Sequence, residues 1–538
     1  MFLWTSPSLW ALALLPILYH LTSSYLSTRR FRAFARTNNC APVYRAQDQK
    51  WPWGLDRIYA VLKAKSRGLD PLDDYFAPPL YAHPTLARGM LFNTTIIETI
   101  EPANVKTILA TKFDDWVIGE YRHRAFRAVQ GVNIFTSDGP FWRHSRAMFR
   151  PQFARELVND LEATERATGV LFEAVGEGDA GGWTGMVDLK PLLFRFVLDT
   201  ATEFLFGESI ESQRALMLAK AGEGEGERGL GRVAGSNEFA EAFDVCSYYM
   251  VLRIRLQQFY FLGTSKEFRE AVKVIWSVPN RITEQALLRG GGEKKTKERK
   301  FDLLSALMEQ TRDSKELQGQ TLGILFASRD TTSSLLLWTV LLLGQHPEIY
   351  GKLRAIVLER FAQPSGSGIL DFAELKDCRY LQYVLFESMR LYQSVPLNSR
   401  VAVRDTVLPT GGGVDGTKPV AVRKGQQVLW NIYAMHRRKD LWGEDALEYK
   451  PERWEDPKRS RLLGGGWLFT PFSGGPRICL GQQYAMTEAS YCLVRLLQRY
   501  DAIELDPDSA AAKHEHVKKT IGVTLAPVEL KLRLHEAQ

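Results

Sequence analysis

Residues 472–481 read Phe-Ser-Gly-Gly-Pro-Arg-Ile-Cys-Leu-Gly and present one cysteine, Cys479, in a glycine-rich loop. Two glycines and a proline before Cys479, and Gly481 after it, keep side-chain bulk away and let the backbone approach a flat ligand. The run 482–499 has the pattern of a helix, whose positive end and free N–H groups stabilise a thiolate. Arg477 adds a cation suited to a carboxylate. The stretch therefore predicts a lone thiolate ligand for iron.

The alternative for Cys479 is a buried structural role, because free cysteines are usually core residues. The spacing argues against it. Phe-x-x-Gly-x-Arg-x-Cys-x-Gly is matched at every fixed position, and it resembles the heme-ligand loop of the cytochrome P-450 monooxygenases. The resemblance implies that Cys479 is the axial metal ligand of heme b, and that Phe472 and Arg477 belong to the cofactor site. In that class of protein the thiolate pushes electron density that favours O–O cleavage.

The composition is that of an ordinary globular protein, with 538 residues, 45% hydrophobic and 24% charged. The five cysteines show no Cys-x-x-Cys spacing, which argues against a disulfide framework or a zinc site and favours a reducing compartment. A net charge of +7 is small for this length and does not indicate nucleic acid. It suits an acidic membrane surface or protein partner.

Residues 1–28 contain no Asp, Glu, Lys or Arg, and Arg29, Arg30 and Arg32 follow directly. About 20 apolar residues are needed for a helix to cross a bilayer, so the segment predicts a membrane anchor. The arginines place the body of the protein on the cytosolic side. A secretory signal peptide is the alternative, but its basic residues would come first. We therefore expect an anchor at 1–28, a linker at 29–56 and a catalytic domain at 57–538, single-pass in the endoplasmic reticulum membrane.

The rest of the chain is mainly α-helical in its pattern, with a minority of strands. Residues 91–100 are β-branched and predict a strand. Most later segments have helical spacing, at 102–112, 151–175, 188–206, 238–261, 265–288, 302–311, 316–343 and 373–391. Residues 221–236 and 290–300 predict exposed loops. The expected fold is thus mainly α (α+β), the P-450 fold, with a large helical domain, a small β-rich region and an N-terminal transmembrane helix.

Trp142 and Arg146 are four residues apart, so on a helix they share one face. An indole N–H and a guanidinium on such a face can reach the same carboxylate. The alternative is a stacked pair on a helix surface. The resemblance implies that both bind a heme propionate, and that Arg400, in the strand-like run 395–400, does the same.

Asp330 and Thr331 interrupt an otherwise apolar helical run, where a charged group carries a desolvation penalty. The resemblance makes this the oxygen-activating helix, in which Thr331 hydrogen-bonds the oxygen being activated and Asp330 passes protons inward. O–O cleavage requires protons while bulk water is kept out. Alternatively, the hydroxyls bond back to the preceding turn and Asp330 pairs with an arginine. Ser328 departs from the family, which usually has glycine there, and this puts substrate position and coupling in question.

Glu387 and Arg390 form a Glu-x-x-Arg pair on a predicted helix, which alone is usually a surface feature. The resemblance pairs this motif with a downstream arginine, for which Arg453 is the candidate. Breaking such a buried network costs about 3–5 kcal/mol, so we expect it to serve folding rather than chemistry.

A finer resemblance is to the fungal microsomal branch that oxidises n-alkanes and fatty acids at the chain end. It is carried by residues 135–139 (Phe-Thr-Ser-Asp-Gly), 146–155, 201–207, 398–405, 436–438 and 481–491. It implies a lipophilic substrate entering from the lipid bilayer, with electrons from an NADPH-dependent flavoprotein reductase on a separate chain, since no dinucleotide fingerprint occurs here. Basic residues that could meet the reductase are Arg143, Lys458, Arg459 and Arg461, and the alternative for each is an ordinary solvated surface charge.

Two other functions remain open at the level of sequence. One is tailoring of a secondary metabolite, such as a polyketide or terpenoid, which the Ser328 departure and the Gly/Glu-rich insertion at 221–236 leave possible. The other is a heme protein that binds gas or transfers electrons without oxygenation, against which Asp330 and Thr331 argue.

Overall fold

The computed structural model describes most of the chain. The described residues are 7–46, 51, 59, 63, 70–89, 94–153, 161–221, 235–288, 302–361, 368–460, 462 and 466–537. Nearly all of the predicted loops 221–236 and 290–300 lie outside them, as do Arg461 and parts of the predicted linker. The chain divides into two compact units, Met1–Val117 with Ser399–Ala434, and Ile118–Asn398 with Met435–Gln538.

Helices dominate the described residues. They are α1 Pro7–Thr37, α2 Pro78–Ala82, α3 Pro102–Lys106, α4 Glu120–Gln130, α5 Gly139–Phe149, α6 Glu162–Val175, α7 Leu189–Phe206, α8 Ser212–Lys220, α9 Ser236–Arg255, α10 Lys266–Leu288, α11 Leu303–Met308, α12 Ser314–Gln345, α13 Pro347–Arg360, α14 Phe372–Asp377, α15 Arg379–Leu391, α16 Ile432–Met435, α17 Lys439–Trp442, α18 Pro457–Ser460 and α19 Gln482–Arg499.

The strands are short by comparison. They are β1 Tyr44–Arg45, β2 Thr85–Gly89, β3 Thr95–Thr99, β4 Trp116–Val117, β5 Val187–Asp188, β6 Leu397–Ala402, β7 Thr406–Gly412, β8 Lys418–Val422, β9 Gln427–Asn431, β10 Tyr500–Leu505, β11 Lys519–Ile521, β12 Leu525–Pro527 and β13 Lys531–Glu536. The mainly helical content with a small β-rich region agrees with the sequence-based expectation.

The first unit is built on a mixed sheet with the strand order β1-β2-β3-β9-β6-β4. Strands β2 and β3 are antiparallel, and β3 and β9 are parallel. The C-terminal part of α1 packs against the β7–β8 hairpin. There the Arg423 guanidinium donates to Thr28 Oγ1 at 3.1 Å and lies 5.0 Å from the centre of the Phe31 ring. Residues that the sequence assigned to anchor and linker thus form one helix, which continues past Thr28 to Thr37.

No helix in the described part of the chain combines the length and apolarity of a membrane span. Helix α1 exposes a run of large apolar side chains, namely Leu15, Ile17, Leu18, Tyr19, Leu21, Tyr25 and Leu26. Tyr44 and Arg45, within the predicted linker, form strand β1 beside β2.

Helix α12 forms the core of the second unit. Asp313 caps its start by accepting the Lys315 and Glu316 N–H groups at 2.9 and 3.2 Å, which satisfies two of the free donors of the first turn. The helix is apolar on nearly all sides and is buried over most of its length, as expected for a central helix. It packs against α7, α15 and α19. The single helix predicted over 373–391 is instead two, α14 and α15, separated at Cys378.

Candidate functional site

The loop before α19 is closed by its own backbone. The Cys479 N–H donates to the Phe472 carbonyl at 3.0 Å, around a single helical turn at Gly475–Arg477. Gly475 has a φ of +64°, in the left-handed region that favours glycine. A Cβ on Gly474 would stand 2.6 Å from the Trp467 ring, so that position also requires glycine. The glycines thus give the loop the tight path that presents Cys479.

Cys479 is exposed, whereas Cys246, Cys378 and Cys492 are buried. Surrounding protein desolvates the Cys479 thiol, which raises its pKa. The Gly481 N–H and the positive charge of Arg146 act in the opposite direction and favour the thiolate. Cys479 is therefore a solvent-accessible thiol at a helix N-terminus, with a cation and an N–H group directed toward its sulfur.

Arg477 joins this loop to α5. Its Nη2 donates to the Asp138 Oδ1 at 2.7 Å and to the Ser137 carbonyl at 3.1 Å. Its guanidinium lies 4.2 Å from the centre of the Trp142 ring, within the range of a cation–π contact. Burial lowers the pKa of Arg477 to about 10, so the group remains charged at neutral pH. The structure thus brings together Trp142 and Arg477, which are far apart in sequence.

Asp138 fixes the position of Arg477. Its carboxylate accepts the Ile118 N–H at 3.0 Å and lies 3.1 Å from His123 Nε2. Burial raises the pKa of Asp138, but the contacts with His123 and Ile118 and the charge of Arg477 outweigh it and leave the pKa below its usual value. Asp138 is therefore an ionised anchor for the arginine.

Two further arginines lie near this group. Arg146 Nη1 donates to the Ile478 carbonyl at 3.0 Å, which ties α5 to the residue before the cysteine. Arg122, on α4, donates to the Asn398 side chain at 3.0 Å, and its buried Nε has no hydrogen-bond partner among the described residues. Burial lowers the pKa of Arg122, while Asp138 raises it. Arg477 pairs with Asp138 and Arg122 feels its charge, while Arg146 contacts the Ile478 carbonyl there, so the group carries more positive than negative charge.

The charges near the central part of α12 are buried. Arg329 is 2% exposed, and its guanidinium lies between the rings of Phe194 and Phe243, at 4.7 and 4.8 Å. It contacts Asp330 Oδ1 at 3.2 Å and Asp244 Oδ1 at 2.7 Å. Asp244, on α9, is largely exposed, so Arg329 connects the buried acid to a carboxylate at the surface of α9.

Asp330 itself is buried, and its Oδ2 accepts a hydrogen bond from Ser247 Oγ at 3.2 Å. Burial raises the pKa of Asp330, and the positive charge of Arg329 works against that shift. An acid with a raised pKa can hold and release a proton closer to neutral pH. The salt bridge with an arginine that the sequence left open as an alternative is present here.

Thr331 donates its hydroxyl back to the Ala327 carbonyl at 2.7 Å, as expected in the alternative in which the hydroxyls bond to the preceding turn. This leaves the oxygen lone pairs of a half-buried hydroxyl as acceptors. Ser328 behaves likewise, donating to the Leu325 carbonyl at 3.2 Å. The hydroxyl that distinguishes Ser328 from the family's glycine is thus engaged within the helix.

Glu387 is fully buried and receives five donors. Arg390 donates twice, at 3.0 and 2.8 Å, and Arg453 donates at 3.2 Å. Trp454 Nε1 and the Lys450 N–H donate at 3.0 and 3.2 Å. Charged side chains from α15 and from residues 450–454 therefore meet at one carboxylate.

This network reaches the segment that precedes the cysteine loop. The Trp454 ring lies 4.6 Å from the ring of Phe469. Gln393 Nε2, just beyond α15, donates to the Pro471 carbonyl at 2.7 Å. The residues that lead into Phe472 are therefore held by the same part of the fold.

Arg400 lies in the first unit, on β6. It is 5% exposed, its Nη1 donates to the Ser399 carbonyl at 2.8 Å, and its guanidinium lies 5.4 Å from the centre of the Trp430 ring.

The second unit has the groups that a heme requires. Cys479 offers an accessible thiol in a glycine-lined loop, and Arg122, Arg146 and Arg477 offer more positive charge than Asp138 neutralises. Sequence reasoning missed Arg122 and Asp138, because their roles depend on partners distant in the chain. The signal that could have found Arg122 is the basic run Arg122-His123-Arg124 before an apolar helix face.

The chain is similar to known proteins of one family. The family model described as Cytochrome P450 matches residues 90–534. Cytochrome P450 monooxygenase g430 of Fusarium sp is 39% identical over 92% of this chain and 85% of that protein. Cytochrome P450 52A5 of Candida maltosa is 42% identical over 78% of this chain and 77% of its own length. The solved heme domain of cytochrome P450DA superposes with a TM-score of 0.69 at 20% identity, covering 93% of this chain and 97% of that one, which supports the fold.

Proposed function

The chain belongs to the cytochrome P450 family, and from this premise we propose that it hydroxylates an n-alkane or fatty acid at or near the chain end. The enzyme is a heme-thiolate monooxygenase that acts on lipophilic substrates. The observation that carries the substrate proposal is the similarity to the yeast cytochromes P450 52, which extends over 78% of the chain at 42% identity in one of them. The fungal microsomal pattern of the sequence supports the same class.

In this proposal Cys479 would supply the thiolate that holds the heme iron, and Trp142, Arg146, Arg400 and Arg477 would hold the heme carboxylates. When bound, the heme supplies oxygen activation and insertion of one oxygen atom into a C–H bond. The stacking of Arg477 on Trp142, at 4.2 Å, supports a shared role for these two residues. We add Arg122 to this set, because its buried Nε has no partner among the described residues.

In this proposal Asp330 and Thr331 control the delivery of protons to the oxygen that is being activated. Asp330 holds a proton inside the protein, and Thr331 Oγ1 accepts or relays it while bulk water is excluded. Arg329, which stays protonated, contacts both Asp330 and the exposed Asp244 and so holds the buried acid close to the surface at α9, which supports exchange of its proton with solvent. Because the Ser328 hydroxyl bonds within the helix, we expect it to leave this relay intact.

The electrons come from a separate NADPH-dependent flavoprotein reductase, and the protein resides at the endoplasmic reticulum membrane with its catalytic domain in the cytosol. The exposed apolar residues of α1 and the arginines 29, 30 and 32 that follow them support membrane attachment through this helix as a single-pass anchor. The lipophilic substrate enters from the bilayer.

Product analysis tests the substrate assignment. The full chain is reconstituted with a fungal P450 reductase, NADPH and a panel of fatty acids, n-alkanes and polycyclic metabolite precursors. We expect hydroxylation at or near the end of the linear chains. Oxidation of a polycyclic precursor with no product from the linear chains would refute the substrate class and favour metabolite tailoring. Heme reduction without any oxygenated product would favour a gas-binding or electron-transfer protein.

A further inference from the structure

A further buried acid lies on α19, the helix that follows the cysteine loop. Glu488 is nine residues after Cys479 in sequence and is 1% exposed. Its Oε1 contacts Thr200 Oγ1 on α7. Its Oε2 is buried and has no hydrogen-bond partner of ordinary geometry among the described residues. None of the roles described above uses this carboxyl group.

The hydrogen bonds available to Thr200 favour the protonated form of Glu488. Thr200 has one hydroxyl proton and three acceptors within reach: the Phe196 and Val197 carbonyls at 3.2 and 3.1 Å, and Glu488 Oε1. If Glu488 is protonated, it donates to Thr200 Oγ1, and the threonine donates to its own helix backbone. If Glu488 is ionised, a bare carboxylate oxygen remains buried, which is unfavourable.

No cation among the described residues compensates the charge that Glu488 would carry. Burial raises the pKa of Glu488 to about 8, and among the described residues only the hydroxyls of Thr200 and Thr332 act against that shift. Asp330, by contrast, has Arg329 beside it.

The titratable groups that interact with Glu488 are Tyr484 and Cys492 on its own helix, and Tyr484 in turn feels the charge of Glu203 on α7. Glu203 pairs with Arg166. Tyr484 and Cys492 both have raised pKa values because of burial, so they are neutral at the same pH. Helix α12 contributes the hydroxyl of Thr332.

Thr332 gives this site its connection to the reaction. It follows Thr331 directly on α12 and is 1% exposed. In the part of the chain that the structure describes, its Oγ1 also has no hydrogen-bond partner of ordinary geometry. The two unpartnered atoms, Glu488 Oε2 and Thr332 Oγ1, belong to the helix after Cys479 and to the helix of Thr331.

We propose that Glu488, in its protonated form, is a positioning residue that links α19 to Thr332 on α12 and to Thr200 on α7. It thereby fixes the position of Thr331 relative to the Cys479 loop. The inference rests on the proposed function, because Cys479 and Thr331 are the groups that it positions. Ionisation of Glu488 places an unpaired charge between the helices and weakens the link between them.

The sign of the pH effect follows from the neutral folded state. The pKa of Glu488 is raised from 4.5 to about 8, so the stabilisation from its neutral form is complete below about 4.5 and is lost as the pH rises toward 8. Across that window the folding equilibrium constant falls by up to tenfold per pH unit from this group. In the Glu488→Gln variant the side-chain amide does not ionise, so this position contributes no pH dependence to the stability.

The test uses the heme-loaded full chain with the variants Glu488→Gln and Thr332→Val, and Glu203→Gln as the control on α7. Urea unfolding and the carbon-monoxide spectrum of the reduced protein are followed from about pH 5 to about pH 9. We expect wild type and Glu203→Gln to lose stability and the thiolate-type spectrum as the pH approaches 8, and Glu488→Gln to lack that step. Because Thr332 lowers the Glu488 pKa, Thr332→Val should move the step to higher pH.

Identical pH profiles for wild type and Glu488→Gln would overturn the proposal, as would an unmoved midpoint in Thr332→Val. Both readouts are made without substrate. Failure of the substrate assignment would therefore leave them unchanged, and a missing pH step would leave the monooxygenase assignment intact.

Discussion

Replacing Glu387 with glutamine tests the buried network most sharply. The side chain is fully buried and its two oxygens accept five hydrogen bonds, three of them from the guanidinium groups of two arginines. Asp445 still neutralises Arg453 in the variant, through a contact of 2.7 Å, so one buried cation, that of Arg390, loses its counter-charge. Breaking a buried ion pair in this way costs about 3–5 kcal/mol. We expect Glu387→Gln to lower the free energy of unfolding by that amount.

The matched control is Glu452→Gln, in the same segment of chain. Glu452 pairs with Lys352 at 2.6 Å, but both side chains are partly exposed, at 35% and 47%. An exposed pair contributes about 0–1 kcal/mol. Urea unfolding followed by tryptophan fluorescence measures both variants, because Trp454 lies within the network. If Glu387→Gln were within about 1 kcal/mol of Glu452→Gln, the reasoning about the buried network would be wrong.

Three further perturbations address the site and the anchor. Thr331→Ala should retain heme but divert electrons to peroxide, because the relay hydroxyl is lost; unchanged product per NADPH would argue against the relay. Asp138→Asn should weaken heme retention at neutral pH and remove the wild-type loss at low pH. The pKa of Asp138 is lowered, so its stabilisation is present above the usual aspartate pKa and disappears as the pH falls through the folded value. Deleting residues 1–28 should move the protein from the membrane to the supernatant fraction on centrifugation, and continued pelleting would show that another surface holds it.

Much of the second unit could be predicted from sequence, because local spacing encodes it. The Glu-x-x-Arg spacing places Glu387 beside Arg390, and the run predicted as a helix over 316–343 is α12. The break at Cys378 was missed, since the apolar pattern continues across it. Local spacing therefore predicts the presence of helices, and contacts between residues within one helix, more reliably than it predicts where a helix begins and ends.

Partners from distant parts of the chain could not be predicted. The carboxylate that holds Arg477 is Asp138, and the surface partner of Arg329 is Asp244. These pairs depend on how loops and helices pack, which no short motif records. The protonated state expected for Glu488 likewise depends on burial with no cation beside it among the described residues, which only the packed structure reveals.

The most direct test of the central claim is the carbon-monoxide difference spectrum of the reduced protein. Wild type, Cys479→Ser and the control Cys246→Ser, a buried cysteine on α9, are compared at equal heme content. We predict the red-shifted Soret band of thiolate-ligated heme in wild type and in the control, and its loss in Cys479→Ser. A red-shifted band that persists in Cys479→Ser would contradict the assignment of Cys479 as the heme ligand.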